Sequence, residues 1–282
     1  CMLGKLLKHE WKAVWKVPVL LIAVLMITAV LAGLTFALPI WDSEWVGLPL
    51  SGVMLILMFY FAMIATVLGV TIYFAVRYYK NMFTDEGYLT HTLPVTARQL
   101  LLNKTITMSV WNLLAMIAVV VSIFVFFVIM FLSLAPKDGS FARELVEAVR
   151  RWPEALSSPY MDGFEGFCFG ALFTVLAGAF SNTMMLIGAI TLGQMVRKHR
   201  ILGAVGAYFG FQIIIQILST VVFVPMMIKM ADSAYYQNIY ELQTPFPVLT
   251  PFYFMVSGAS LVVGIGLYFM SEYLIRHKLE LE

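Results

Sequence analysis

The chain has 282 residues, of which 61% are apolar and 12% charged, and its mean hydropathy is +0.90. That composition excludes a water-soluble globular domain, in which about a quarter of residues carry charge. The net charge of +2 is too small to suggest a nucleic-acid partner, so only the distribution of the charges along the chain is informative.

The first element, residues 2–16, reads as an amphipathic helix. Leu3, Leu6, Leu7, Trp11, Val14 and Trp15 recur at three- and four-residue spacing, with Lys5, Lys8, His9, Lys12 and Lys16 between them. One oily and one cationic face suit a helix lying in the membrane interface, although an ordinary basic flank of the first span gives the same pattern. His9-Glu10 followed by Ala13 lacks the second histidine of a zinc-protease helix and is not a metal site.

Six apolar runs follow, at about residues 17–40, 47–76, 107–134, 164–196, 201–228 and 249–275. Each exceeds the ~20 residues that a helix needs to cross the hydrocarbon. The predicted fold is therefore all-α, a polytopic membrane protein of six transmembrane helices plus the N-terminal interfacial helix, with 1–282 forming a single transmembrane domain. The first run is too long for the apolar part of a signal peptide and reads as a true span. Cys168 lies within a span, and Cys1 precedes Met2, so the two cysteines define no disulfide framework.

Between the second and third spans, residues 77–106 read RYYKNMFTDEGYLTHTLPVTARQLLLNKTI. Thr84 can cap a short helical turn that Asp85 and Glu86 favour and Gly87 ends. Pro94 biases Leu93 away from helix, and Thr96 can cap the helix that runs into the third span. Tyr78, Tyr79, Phe83 and Tyr88 suit either a docking surface or an interfacial aromatic belt.

Between the third and fourth spans, Ser140 can cap a helix carrying Phe141, Leu145, Val149 and Trp152 at helical spacing, with Pro153 as its stop. This reads as a short amphipathic helix on the outer interface. The fourth-to-fifth turn, Arg197-Lys198-His199-Arg200, is basic enough to anchor to anionic lipid. Residues 231–247 are rich in tyrosine and end in Pro245 and Pro247, as a rigid cap or an aromatic belt would.

The basic residues are unevenly placed. Thirteen of the 18 lie at the N-terminus, in the 77–106 loop, in the fourth-to-fifth turn or in the tail, against five on the opposite face. The positive-inside bias puts both termini in the cytosol. No span has a charged residue near its middle. The candidates for a polar path are Asn112, Asn182, Gln212 and Gln216, which serve equally as hydrogen bonds between helices. Gly166 with Gly170, and Gly206 with Gly210, are small-residue pairs suited to close packing within the bundle.

Glu86-Gly87-Tyr88-Leu89, then Leu93-Pro94-Val95-Thr96, then Lys104 opening the next span, resembles the signature between spans two and three of the ABC-2-type permeases. These are the membrane subunits of bacterial ABC exporters. The likeness extends to the basic N-terminal helix, the six spans and the ending Thr250-Pro251-Phe252-Tyr253 with its short basic tail. This chain has Glu86-Gly87-Tyr88-Leu89 where better-known members carry an Arg-Gly-Thr-like stretch. The resemblance implies a permease in the bacterial cytoplasmic membrane that moves an amphiphilic peptide, lipid or drug outward. It implies that Thr84, Asp85, Glu86, Gly87, Tyr88, Leu93 and Pro94 couple the chain to cytoplasmic ABC ATPase subunits. A second permease subunit, identical or not, would complete the complex.

The chemistry absent from the sequence agrees with this division of labour. The chain has no G-x-x-x-x-G-K-[ST] loop, so it is expected to be no enzyme itself and to hold no cofactor, with ATP and magnesium on the partner. Uncharged span interiors disfavour an ion-coupled carrier. The rival reading is a non-transport membrane scaffold or sensor whose cytoplasmic loop binds another soluble protein.

Overall fold

The computed structural model describes residues 2–38, 41, 47–84, 96–134, 140–158, 161–196, 199–232 and 246–277. Their regular elements are all helical: α1 Met2–Val14, α2 Lys16–Leu34 with a 3-10 turn at Thr35–Ala37, α3 Gly47–Phe83, α4 Ala97–Leu134, α5 Ser140–Leu156, α6 Phe164–Gly193, α7 Arg200–Asp232 and α8 Phe246–His277. Six helices are long and apolar enough to cross a membrane. Helix is the form such sequences must take in hydrocarbon, where no water is present to satisfy the backbone.

At 37 and 38 residues, α3 and α4 are each about 55 Å long, well beyond the ~30 Å of the hydrocarbon core. Their surplus turns carry Arg77, Lys80, Arg98 and Lys104. The helices thus extend past the apolar runs, and the connection between them starts some turns outside the hydrophobic stretch.

The chain divides into two compact units, residues 1–78 with 102–145, and residues 79–101 with 146–282. In the first, α1 and α2 meet at Trp15, which keeps a helical conformation. Pro18 explains the break, since it has no N–H for the Val14 carbonyl and its ring crowds that oxygen. Farther along, Leu25, Ala29 and Ala32 of α2 gather with Phe59 and Ala118 in a core. Phe59 and Phe126 stack with centroids 5.3 Å apart. Gly33 lets α2 lie directly on α4, because a Cβ there would come within 2.9 Å of the Ile129 Cβ.

In the second unit, α6 and α8 run side by side in the same direction along a seam of small residues. Cβ atoms added at Gly166, Gly170 and Gly188 would touch Thr250, Tyr253 and Leu267 in turn. Hydroxyls join the seam: Thr174 and Ser257 share a 2.6 Å hydrogen bond, and Ser181 donates to the Ser260 carbonyl. The Gly166–Gly170 pair is therefore a contact within the bundle, as its spacing predicts. Gly206 and Gly210 meet none among the described residues, since nothing there lies within 4 Å of where their Cβ would be.

Outside the seams the spans present apolar side chains such as Phe61, Phe124, Phe209 and Val262, all more than half exposed. A soluble protein does not expose apolar surface on this scale, whereas hydrocarbon covers it without cost.

Two local expectations are corrected. Pro153 does not stop α5, which continues to Leu156 with the proline inside it. Proline frees only the carbonyl four residues earlier, that of Val149, which costs one hydrogen bond near the end of a 17-residue helix. Tyr78 and Phe83 form neither a docking surface nor an interfacial belt, because both are buried. The tyrosine-rich stretch from 233 to 245 and residues Arg197 and Lys198 lie outside the described residues.

Candidate functional site

In the first unit an ion-pair cluster joins three helices at one carboxylate. Glu10 of α1 sits at helical spacing from Leu7 and Val14, on the side of α1 that turns inward, with Val14 fully buried. Its Oε1 accepts from Lys104 Nζ of α4 at 2.8 Å and from Arg77 Nε of α3 at 3.1 Å. Lys104 is nearly inaccessible, its side chain 6% exposed against 14% for Glu10 and 26% for Arg77. Burial pushes the Glu10 carboxyl up, but the charges and hydrogen bonds of Lys104 and Arg77 outweigh it and hold the group below the usual carboxylate range. Beside this triad Trp11 stacks on Trp111, centroids 4.9 Å apart. The N-terminal helix is thereby fixed to the two helices that the 77–106 loop connects.

At the ends of that loop two of the predicted residues can be placed. The Thr84 hydroxyl donates to the Lys80 carbonyl at 2.6 Å, which closes the C-terminal turn of α3. Thr96 caps α4 as its sequence suggests, accepting from the Gln99 N–H while the Gln99 side chain accepts from the Thr96 N–H, both at 3.3 Å. This reciprocal pair is a capping box. Asp85, Glu86, Gly87, Tyr88, Leu93 and Pro94 lie outside the described residues. In the second unit Arg98, in the first turn of α4, lies 4.0 Å from Glu272 of α8.

The candidate path residues separate into different surroundings. Asn112 is buried in the first unit. In the second, Gln212 donates to the Tyr208 hydroxyl at 3.3 Å and that hydroxyl donates to the Asn182 amide oxygen at 3.4 Å. Asn182 and Gln212 therefore hold α6 and α7 together through Tyr208. Gln216 is exposed on α7.

Two contributors went unrecognised in the sequence. Glu10 is the sole acidic residue before Asp42, and a lone carboxylate on the oily side of a lysine-rich helix was the available signal for an ion pair. Tyr208 gave none, since tyrosine is common in apolar spans. Among the described residues no three His, Cys, Asp or Glu side chains gather as metal ligands. Compared with known proteins, the chain matches no family model, no curated protein and no solved structure.

Proposed function

We propose that the chain is the permease subunit of a bacterial ABC exporter, both termini cytoplasmic, moving an amphiphilic peptide, lipid or drug outward with ATP hydrolysed on a separate subunit. The observation that carries the reading is the Glu86-Gly87-Tyr88-Leu89 and Leu93-Pro94-Val95-Thr96 signature set between the second and third of six spans. The Glu10 triad supports it. A stroke delivered to the loop by an ATPase is useful only if the helices on either side move as a body, and Glu10 ties α1, α3 and α4 together at that end. In this reading Asp85, Glu86 and Tyr88 meet the ATPase, while the Thr96–Gln99 box stiffens the joint to α4.

The purified chain alone should then hydrolyse no ATP. Transport by the assembled complex should continue when the proton gradient is collapsed and ATP is maintained. Transport that stops with the gradient would make the chain an ion-coupled carrier, and failure to recover any ATPase with the native complex would favour the scaffold reading.

A further inference from the structure

We infer that α5 lies in the plane of the membrane on the loop side opposite the 77–106 connection, its apolar face sunk among lipid acyl chains, and that it binds lipid without regard to headgroup charge. The helix is 17 residues long, and Val146, Val149, Trp152 and Leu156 are 68%, 68%, 52% and 40% exposed. At 100° per residue these four fall on one side, together with the positions of Phe141 and Leu145. Glu144, Glu147, Arg150, Arg151 and Glu154 fall on the other, with Arg151 paired to Glu147.

The chain itself says what covers the oily side. Five residues, 135–139, separate α5 from the end of α4, and seven, 157–163, separate it from the start of α6. Even fully extended, these connections reach only about 20 and 28 Å. A helix tied at both ends to membrane-crossing helices stays within about 20 Å of where they leave the bilayer, and lipid is the apolar phase always within that reach. The continuous helix through Pro153 adds Leu156 to the buried side, which a helix ending at the proline would not supply.

The charge on the polar side decides the lipid preference. Arg143, Arg150 and Arg151 are balanced by Glu144, Glu147 and Glu154, so attraction to anionic headgroups adds nothing and apolar burial alone holds the helix. This contrasts with α1, where Lys5, Lys8 and Lys12 face one acidic residue. The inference needs only the membrane spans and is independent of the transport reading.

The test uses the full chain with Cys168→Ser and Cys1→Ser, reconstituted in liposomes, with a nitrobenzoxadiazole probe at Val146→Cys, Val149→Cys, Glu147→Cys or Glu154→Cys. Dithionite added outside vesicles that carry this loop outward should bleach the Glu147 and Glu154 probes at least about tenfold faster than the Val146 and Val149 probes. Nitroxide lipids should quench the Val146 and Val149 probes. Both results should be the same, within about twofold, in phosphatidylcholine and in mixtures with phosphatidylglycerol, at low and high salt. Rapid bleaching at Val146 and Val149 would place the face in water and overturn the inference. Protection without lipid quenching would overturn it too, assigning the face to a protein partner. Quenching confined to phosphatidylglycerol would refute the charge independence.

Discussion

At the scale of single residues, Glu10 decides how α1, α3 and α4 hold together in the first unit. One carboxylate oxygen compensates two cations, one of which, Lys104, is almost wholly enclosed. Removing the carboxylate takes from those cations the counter-charge they share in a partly buried site, and breaking a buried pair in this way costs about 3 kcal/mol or more. Glu10→Gln should therefore lower the thermal unfolding midpoint in detergent, whereas Lys12→Gln on the exposed side of α1 should leave it unchanged. The sign with pH follows from the depressed carboxyl. The stabilisation is complete above the ordinary value of 4.5 and is lost as pH falls through the lower folded value. The gap between the native chain and Glu10→Gln should stay constant from neutral pH down to about 5 and close below that. A gap that closes on raising the pH would refute the assignment.

At the scale of elements, the helices were readable because long apolar runs in lipid have one solution, and their ends because polar residues mark them. Thr96 illustrates this, since a threonine followed three residues later by a glutamine encodes a cap locally. What the sequence did not reveal were pairings between distant segments: Glu10 with Lys104, and Asn182 with Tyr208, have no local signature. Glycines show the same divide. Gly166 and Gly206 begin identical four-residue pairs, yet among the described residues only the former meets a neighbour, because helix pairing and not spacing determines what a small residue touches. Gly193 gives the sharpest test, as a Cβ there would fall 2.6 Å from the Ala204 Cα, a backbone atom that cannot turn aside. Gly193→Ala should force α6 and α7 apart and cost about 1–3 kcal/mol. Gly178→Ala, with nothing within 4 Å, should be neutral or stabilise by up to about 1 kcal/mol through helix propensity. Denaturation of the two variants in the same detergent compares them directly, and equal effects would show that the close crossing is absent.

At the scale of the whole molecule, the orientation in the membrane and the coupling to an ATPase stand or fall by separate measurements. The 13 to 5 division of basic residues predicts that a cysteine at Ser157 reacts with an impermeant thiol reagent outside intact cells and one at Thr96 does not. Cys168 is itself exposed, so the labelling requires Cys168→Ser first. Labelling at Thr96 from outside would remove the loop from the ATPase compartment and end the exporter reading at once. If the orientation holds, coupling is tested in the loop itself. Glu86→Lys reverses a charge at the surface where the partner would grip, and like charges brought together across an interface can cost several kcal/mol. Insertion and stability should be unaffected, since Glu86 lies in the sequence between the apolar runs at 47–76 and 107–134. Association with the ATPase should weaken by at least about tenfold, or hydrolysis should continue without transport, as co-purification and a transport assay would register. Glu10→Gln should give the second of these outcomes without the first, because it loosens α1 from α3 and α4 while leaving the proposed contacts at Glu86 and Tyr88 unaltered in sequence. If Glu86→Lys and Tyr88→Ala both leave assembly and transport intact, the loop only connects two helices, and the force must enter the bundle elsewhere.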